Sequence, residues 1–139
     1  MGHFRASAHR TAARLAQLTA SHKYTLFWRT SSRSHRTPCD ADSSPMLLSN
    51  LSFADQSDYG WMLRAPMNDI WRDALSRERA GSWAEHAHLM DIDDLSSTRP
   101  DAHRYAPEAD CLHWCSSSVT DEWTWALWHL LQAAEEESS

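Results

Sequence analysis

The stretch "YTLFWRT", residues 24–30, decides the fold class of this chain. It is rich in aromatic and β-branched residues, and its apolar side chains follow one another instead of alternating with polar ones. A strand of this kind is typical of a parallel sheet that is covered on both faces. The stretch therefore predicts a buried strand of an α/β protein.

Helical patterns flank this strand. Residues 4–20 predict a helix, because apolar residues recur at helical spacing on one face while arginines occupy the others. That apolar face consists of Phe4, Ala8, Ala12, Leu15 and Leu18. Residues 67–80 predict a second helix, which Gly81 is placed to end. Its apolar face consists of Met67, Ile70, Trp71, Ala74 and Leu75.

The remainder of the chain continues the alternation. "HAHLMDI", residues 86–92, predicts a second strand, and residues 31–55 and 93–118 are predicted loops. A third helix is predicted over residues 119–134, with an apolar face of Val119, Trp123, Leu127, Leu130 and Ala134. The order helix, strand, helix, strand, helix is typical of a parallel sheet with covering helices. Because so few strands make a small sheet, we expect part of an α/β domain.

The charge of the chain is distributed unevenly. The net charge is −6, yet residues 1–39 contain seven Lys/Arg and no Asp or Glu. Such a start is compatible with a transit peptide, although a basic helix that runs directly into a strand is the favoured interpretation. We expect no nucleic-acid partner, because aromatic residues are not interleaved with the basic ones. No run approaches the roughly 18 apolar residues of a membrane span.

The segment "DCLHWC", residues 110–115, contains the candidate catalytic residues. A histidine acts as a general base when a carboxylate holds its ring in one tautomer and stabilises the imidazolium that forms. Asp110 lies three residues before His113, so a turn could bring the two side chains together. This spacing is common by chance, and the alternative is a loop aspartate beside a partly buried histidine.

The cysteines leave alternatives open. Cys111, His113 and Cys115 offer three zinc ligands, but a closed zinc site takes four, so no metal is expected. A disulfide between Cys111 and Cys115 would close a very small loop and stabilise little. A bond from Cys39 to either of them would hold the 31–55 loop and leave one cysteine over. Two weaker candidates are a metal loop without EF-hand spacing (Asp91, Asp93, Asp94) and a sugar-stacking cluster (Trp123, Trp125, Trp128).

Three ordered blocks carry a family resemblance. "DCLHWC" followed by "DEWTWALWHLL", residues 121–131, resembles the C-terminal signature of plant trichome birefringence-like proteins, which belong to the PC-esterase group of the SGNH/GDSL superfamily. "FWRTSSRSH", residues 27–35, is similar to the family's Phe-Arg-Thr-x-Ser-Pro-x-His stretch, and "RPDAH", residues 99–103, to its Arg-x-Asp-Gly/Ala-His block. The positions that match are Arg29, Thr30, Ser32, His35, Cys39, Asp110, Cys111, His113, Trp114, Cys115, Asp121 and Trp123.

The resemblance implies the C-terminal part of an SGNH-like three-layer α/β/α domain. It would cover residues 1–134, with an acidic tail at 135–139. The implied function is O-acetylation of cell-wall polysaccharides in the Golgi lumen, with an acetyl donor as co-substrate and no other cofactor or metal. In the family a Gly-Asp-Ser serine attacks the donor, and Asp110 and His113 would complete the triad. The resemblance further implies substrate binding by Arg29 and His35 and a disulfide between Cys39 and Cys111.

The departures from the family pattern are equally specific. No Gly-Asp-Ser block occurs in the 139 residues, and the family's Leu-Pro-Gly is replaced by serines at 116–118. Membrane attachment in the family uses an N-terminal anchor, which this chain does not show. We therefore expect the chain alone to be inactive, because a base without a nucleophile and oxyanion hole does not sustain acyl transfer. The alternative is a catalytically inactive fragment or an interaction protein derived from that family.

Overall fold

The computed structural model describes residues 1–22, 24–32, 34–35, 63–79, 87–104 and 110–137. Most of the predicted 31–55 loop, together with Cys39 and Gly81, lies outside these residues. The elements are α1 (Gly2–His22), β1 (Leu26–Arg29), α2 (Arg64–Arg79), β2 (Ala87–Met90), α3 (Asp93–Ser97), a 3-10 turn (Pro100–Ala102), β3 (His103–Arg104), β4 (Asp110–Trp114) and α4 (Val119–Glu137).

A parallel pair of strands forms the centre of the fold. β1 and β2 pair in register from Leu26 opposite Ala87 to Arg29 opposite Met90. Sequential parallel strands need a crossover connection, and α2 lies in the chain between them. The prediction of an α/β protein with a parallel sheet is therefore confirmed.

The main core lies between this sheet and two helices. α1 and α2 pack against each other, and the buried residues are small on α1 and larger on α2. The fully buried Ala8 and Ala12 allow the two helices to approach closely. Trp28 of β1 packs on Trp71 of α2, with ring centroids 4.2 Å apart. The predicted helices at 4–20 and 67–80 are thus confirmed.

The opposite face of the sheet meets α4. Successive strand side chains point to opposite faces, so Arg29 lies on the other side of β1 from Trp28. The Arg29 guanidinium carbon is 5.8 Å from the ring centroid of Trp123 on α4, and α4 also contacts β2. The helices therefore lie on both sides of the small sheet, as a three-layer arrangement requires.

The prediction of a loop at 93–118 was wrong for most of the residues in this segment that the structure describes. This segment contains α3, the 3-10 turn, and an antiparallel pair of β3 and β4, in which His103 lies opposite Trp114. These elements have two to five residues each, which is too short for apolar periodicity to show. Several of their positions carry polar side chains that are held by hydrogen bonds, among them Asp101, His103 and Asp110.

The third predicted helix exists but differs in its extent and in its buried face. α4 ends at Glu137, three residues beyond the predicted end at residue 134. Val119 is fully buried, whereas Leu127, which was predicted to face the core, is 36% exposed. Along the described ranges, no helix combines the length and hydropathy needed to cross a bilayer.

Candidate active site

The carboxylate of Asp110 accepts three hydrogen bonds in the candidate site. Its Oδ1 accepts the backbone N–H groups of Leu112 at 3.0 Å and of His113 at 3.1 Å. Its Oδ2 lies 2.6 Å from Nδ1 of His113. The bond to the His113 side chain, together with the backbone N–H groups, outweighs partial burial and lowers the pKa of Asp110 to about 2. The carboxylate is thus ionised throughout the neutral range.

The His113 ring is oriented by this carboxylate. Because an ionised carboxylate only accepts hydrogen bonds, Nδ1 of His113 carries the hydrogen and Nε2 is left as the basic nitrogen. The side chain is 71% exposed, and Nε2 makes no hydrogen bond to any residue that the structure describes. The geometry is that of a base whose tautomer is fixed and whose reactive nitrogen is open to a reactant.

The opposite side of β4 is held by an aromatic cluster. Strand alternation directs Trp114 away from His113. The Trp114 ring stacks on His103 with centroids 3.9 Å apart, and it meets His35 edge-on at 5.8 Å. Its Nε1 donates to the hydroxyl of Ser32 at 3.2 Å. The two blocks that precede the signature in the chain, residues 27–35 and 99–103, therefore contact the side of β4 opposite His113.

Two buried histidines lie under the strand. His35 Nδ1 is 2.7 Å from His103 Nε2, and His35 Nε2 is 2.8 Å from the carbonyl oxygen of Ser97. His103 Nδ1 is 3.1 Å from the carbonyl oxygen of His113. Burial lowers the pKa of His103 to about 4, although the hydrogen bond to the His113 carbonyl opposes this shift. His103 thus joins His35 to the backbone of the candidate base.

A second polar cluster lies where the parallel strands end. Arg72 of α2 donates to both carboxylate oxygens of Asp91, at 2.6 and 2.8 Å, and approaches Asp93 at 3.3 Å. Burial raises the pKa of Asp91, but the hydrogen bonds from Arg72 and Thr30 outweigh it and the net shift is downward. Both aspartates are thus hydrogen-bonded to an arginine. Among the residues that the structure describes, no group of three side chains could hold a metal ion.

Some of the predicted catalytic and substrate-binding residues lie at the surface, and one is buried. Asp110 and His113 are in contact, as the spacing indicated, while their catalytic role stays a prediction. Arg29 is exposed at the end of β1. His35 is buried with both ring nitrogens engaged, so a contact between this ring and a substrate requires one of those bonds to break.

The cysteines are only partly described. Cys111 is buried, and Cys115 is a free thiol whose Sγ donates to the carbonyl of His103 at 3.5 Å. The alternative of a Cys111–Cys115 bridge is therefore wrong. Cys39 lies outside the described residues, so a bond between it and Cys111 stays a prediction.

Sequence reasoning named the block that contains His103 without giving that residue a role. The signal was present, because His35 and His103 each close one of the resemblance blocks, at 27–35 and 99–103. Two histidines at corresponding ends of two blocks suggest a shared environment. Their contact could not be derived from spacing, since 68 residues separate them.

One known protein family matches most of the chain. The model of PC-Esterase, described as a GDSL/SGNH-like acyl-esterase family found in Pmr5 and Cas1p, matches residues 1–130. The chain therefore belongs to the PC-esterase family. Membership suggests acyl-esterase or acetyltransferase-like activity. No curated protein matches the chain.

Proposed function

We propose that this chain provides the general base and its orienting carboxylate for a polysaccharide O-acetyltransferase. The observation that carries the proposal is the 2.6 Å contact between Asp110 Oδ2 and His113 Nδ1, which leaves Nε2 of an exposed ring as the basic atom. Within a family of acyl-ester chemistry, such a pair activates a hydroxyl nucleophile.

The proposed reaction has two half-steps. In the first, His113 Nε2 takes the proton of a serine hydroxyl while the serine oxygen attacks the acetyl carbonyl of the donor, and the leaving group departs with that proton. In the second, Nε2 takes the proton of a polysaccharide hydroxyl, whose oxygen attacks the acetyl-serine. The bond between the acetyl carbon and the serine oxygen breaks, and Nε2 returns the proton to that oxygen. Asp110 stays ionised and stabilises the imidazolium of His113 in both half-steps.

The serine in this proposal comes from a segment with a Gly-Asp-Ser block, which the 139 residues do not contain. The acceptor is a cell-wall polysaccharide, and the reaction takes place in the Golgi lumen with no metal or further cofactor. In an oxidising compartment Cys39 and Cys111 would pair. Arg29 is the proposed polysaccharide contact that is open to solvent. These assignments follow the family resemblance and are proposals.

Reconstitution tests the proposal. The full chain is fused behind, or co-expressed with, the Gly-Asp-Ser half of a PC-esterase family member. Acetyl transfer from 4-nitrophenyl acetate to xylan oligosaccharides is then followed by mass spectrometry. We expect transfer, and we expect His113→Ala to reduce it by roughly 10³-fold or more, because triad members act as a unit.

The control is a second exposed histidine. His129 lies on α4 and is exposed like His113, so His129→Ala should leave transfer unchanged. Circular dichroism of both variants separates loss of chemistry from loss of folding. Transfer that survives in a folded His113→Ala variant, or no transfer with the unaltered chain, would reject the proposal.

A further inference from the structure

The two buried histidines form a line of hydrogen bonds between two backbone carbonyls. The line runs from the oxygen of Ser97 through His35 and His103 to the oxygen of His113, with distances of 2.8, 2.7 and 3.1 Å. Both rings are almost completely buried, at 6% and 1% exposure. The protons on this line can therefore be counted.

The count gives three hydrogens on four ring nitrogens. A carbonyl oxygen only accepts, so the outer nitrogens, Nε2 of His35 and Nδ1 of His103, must both carry a hydrogen. The inner nitrogens face each other at 2.7 Å, and one of them must also carry a hydrogen, because two lone pairs at that distance repel. Two neutral imidazoles supply only two hydrogens.

We infer that His35 and His103 share one extra proton and form a buried pair with a single positive charge, which positions the backbone of His113. The short inner distance agrees with this assignment, since charge-assisted hydrogen bonds are shorter than neutral ones. The charge itself follows from the geometry alone. Its bearing on catalysis rests on the proposed function of His113.

The surroundings of the pair contain stabilising groups. Trp114 stacks on His103 at 3.9 Å with an interplanar angle of 24°, which suits a delocalised cation against an aromatic face. The negative charges of Asp110 on β4 and Asp101 on the 3-10 turn both favour the charged form of His103. The charge of His35 in turn favours the ionised form of Asp101.

Other groups around the pair oppose or neutralise one another. Burial disfavours the charge and is the largest cause of the low pKa of His103, and a positive charge on His35 lowers this pKa further. The repulsion between the rings limits the pair to a single positive charge. Arg99, which precedes the 3-10 turn, is neutralised by Asp101 and by Glu122 of α4. The Cys115 thiol donates to the carbonyl of His103 rather than to its ring. The shared proton is therefore held by the three hydrogen bonds and the two aspartates against burial.

The histidine pair fixes the backbone of β4 at His113, the residue whose ring Asp110 orients. His103 Nδ1–H holds the carbonyl of His113, while Asp110 holds the N–H and the ring of the same residue. Loss of the shared proton would leave two hydrogens for three contacts, so one contact must open. Because the two rings are coupled, they should lose a single proton together in one titration step.

Nitrogen NMR of the full 139-residue chain tests the inference. The protein is labelled with ¹⁵N in its histidine rings, and the protonated and bare nitrogens of both rings are counted from pH 5 to 8, while dispersed amide signals show that it is folded. We expect three protonated nitrogens and one bare nitrogen in the pair. A count of two, or of four, overturns the inference.

Two variants of His103 assign the nitrogen signals to the individual rings and provide a second test. In His103→Gln, the amide nitrogen can replace Nε2 as donor to His35 but cannot reach the His113 carbonyl, so His35 should become neutral with one bare nitrogen. In His103→Asn, the amide can replace Nδ1 instead and hold that carbonyl. His129→Gln, on the exposed face of α4, should change no signal of the pair.

These measurements are independent of enzymatic activity. A wild-type count of three with a His35 that stays doubly protonated in folded His103→Gln would also overturn the inference, because the charge would then not be shared. Failure of acetyl transfer in the reconstituted enzyme would leave the proton count unaffected, so the two proposals can fail separately.

Discussion

The hydroxyl of Thr30 donates to the carboxylate of Asp91 at 3.0 Å, and so joins the residue after β1 to the residue after β2. The same hydroxyl oxygen accepts the N–H groups of Ile92 and Asp93, at 3.0 and 3.2 Å. The N–H of Thr30 donates to the carbonyl of Met90. One small buried side chain thus fixes the carboxyl ends of both parallel strands.

Thr30→Val is therefore expected to destabilise the chain. Valine has nearly the same shape but no hydroxyl, so the buried N–H of Ile92 loses its acceptor and Asp91 loses one donor. The N–H of Asp93 keeps only its 3.3 Å contact with Asp91 Oδ1. We expect a loss of about 1–3 kcal/mol in the free energy of unfolding. Urea denaturation followed by circular dichroism measures it. Thr30→Ser keeps the hydroxyl and should lose clearly less; equal losses for both variants would contradict this account.

Arg72→Met is expected to be more costly than removal of an exposed arginine on the same helix. Arg72 holds Asp91 through two hydrogen bonds and approaches Asp93, whose side chain is fully buried. Since breaking such an arrangement leaves buried carboxylate charge, we expect a loss of about 1–3 kcal/mol. The measurement is the urea midpoint at pH 7.

Arg77→Met is the matched control for Arg72. It lies on α2, is 66% exposed and pairs with Asp73 four residues earlier. Exposed pairs of this kind contribute about 0.3–0.5 kcal/mol. If Arg77→Met destabilises the chain as much as Arg72→Met, the cluster at the strand ends is not the source of the effect.

The longer helices and the parallel strands were predictable because their apolar patterns lie within short stretches of sequence. The helical spacing of Ala8 and Ala12, and of Ile70 and Ala74, places them on the faces that the structure buries. The pairing partner of "YTLFWRT" is a second apolar run, and parallel pairing follows from the helix between the two. Short polar elements such as β3 carry no periodic signal, since hydrogen bonds to distant residues stabilise them.

The site was predictable to a similar extent. Asp110 and His113 are only three residues apart, within the irregularly paired β4, so their contact was visible in the spacing. The line from Ser97 through His35 and His103 joins residues that are more than 60 positions apart. Such contacts depend on the assembled fold, so the sequence could indicate only which blocks mattered.

The stability of the chain should depend on Asp110 in acid. Its carboxyl has a pKa of about 2 when folded and about 3.9 when unfolded. A lowered folded pKa means that this contribution to stability is fully present above about pH 4 and is lost as the pH falls towards 2. We expect wild-type stability to fall more steeply between pH 4 and 2 than that of Asp110→Asn.

The measurement is the urea midpoint at a series of pH values. Asp121→Asn is the control, because Asp121 is an exposed acidic residue in the first turn of α4. Its stability profile in acid should follow the wild type. Parallel wild-type and Asp110→Asn profiles would show that the hydrogen bonds on the carboxylate do not hold in solution.

The exposed apolar residues on the outer face of α4 should cause the isolated chain to self-associate. Trp125 and Trp128 are 65% and 54% exposed, and Leu127 and Leu131 extend the same apolar surface. Exposed apolar area of this kind promotes association. We expect the double variant Trp125→Gln/Trp128→Gln to bind less anilinonaphthalene sulfonate and to scatter less light at equal concentration, with stability within about 0.5 kcal/mol of wild type.

Trp123→Gln is the contrasting variant on the same helix. The Trp123 ring meets Trp114 edge-on at 6.0 Å, and its Nε1 donates to the hydroxyl of Ser96 at 3.1 Å. Its replacement should therefore lower the urea midpoint without reducing dye binding, because it removes packing rather than exposed surface. If the double variant scatters as much light as the wild type while Trp123→Gln scatters less, the surface that mediates self-association is not the outer face of α4.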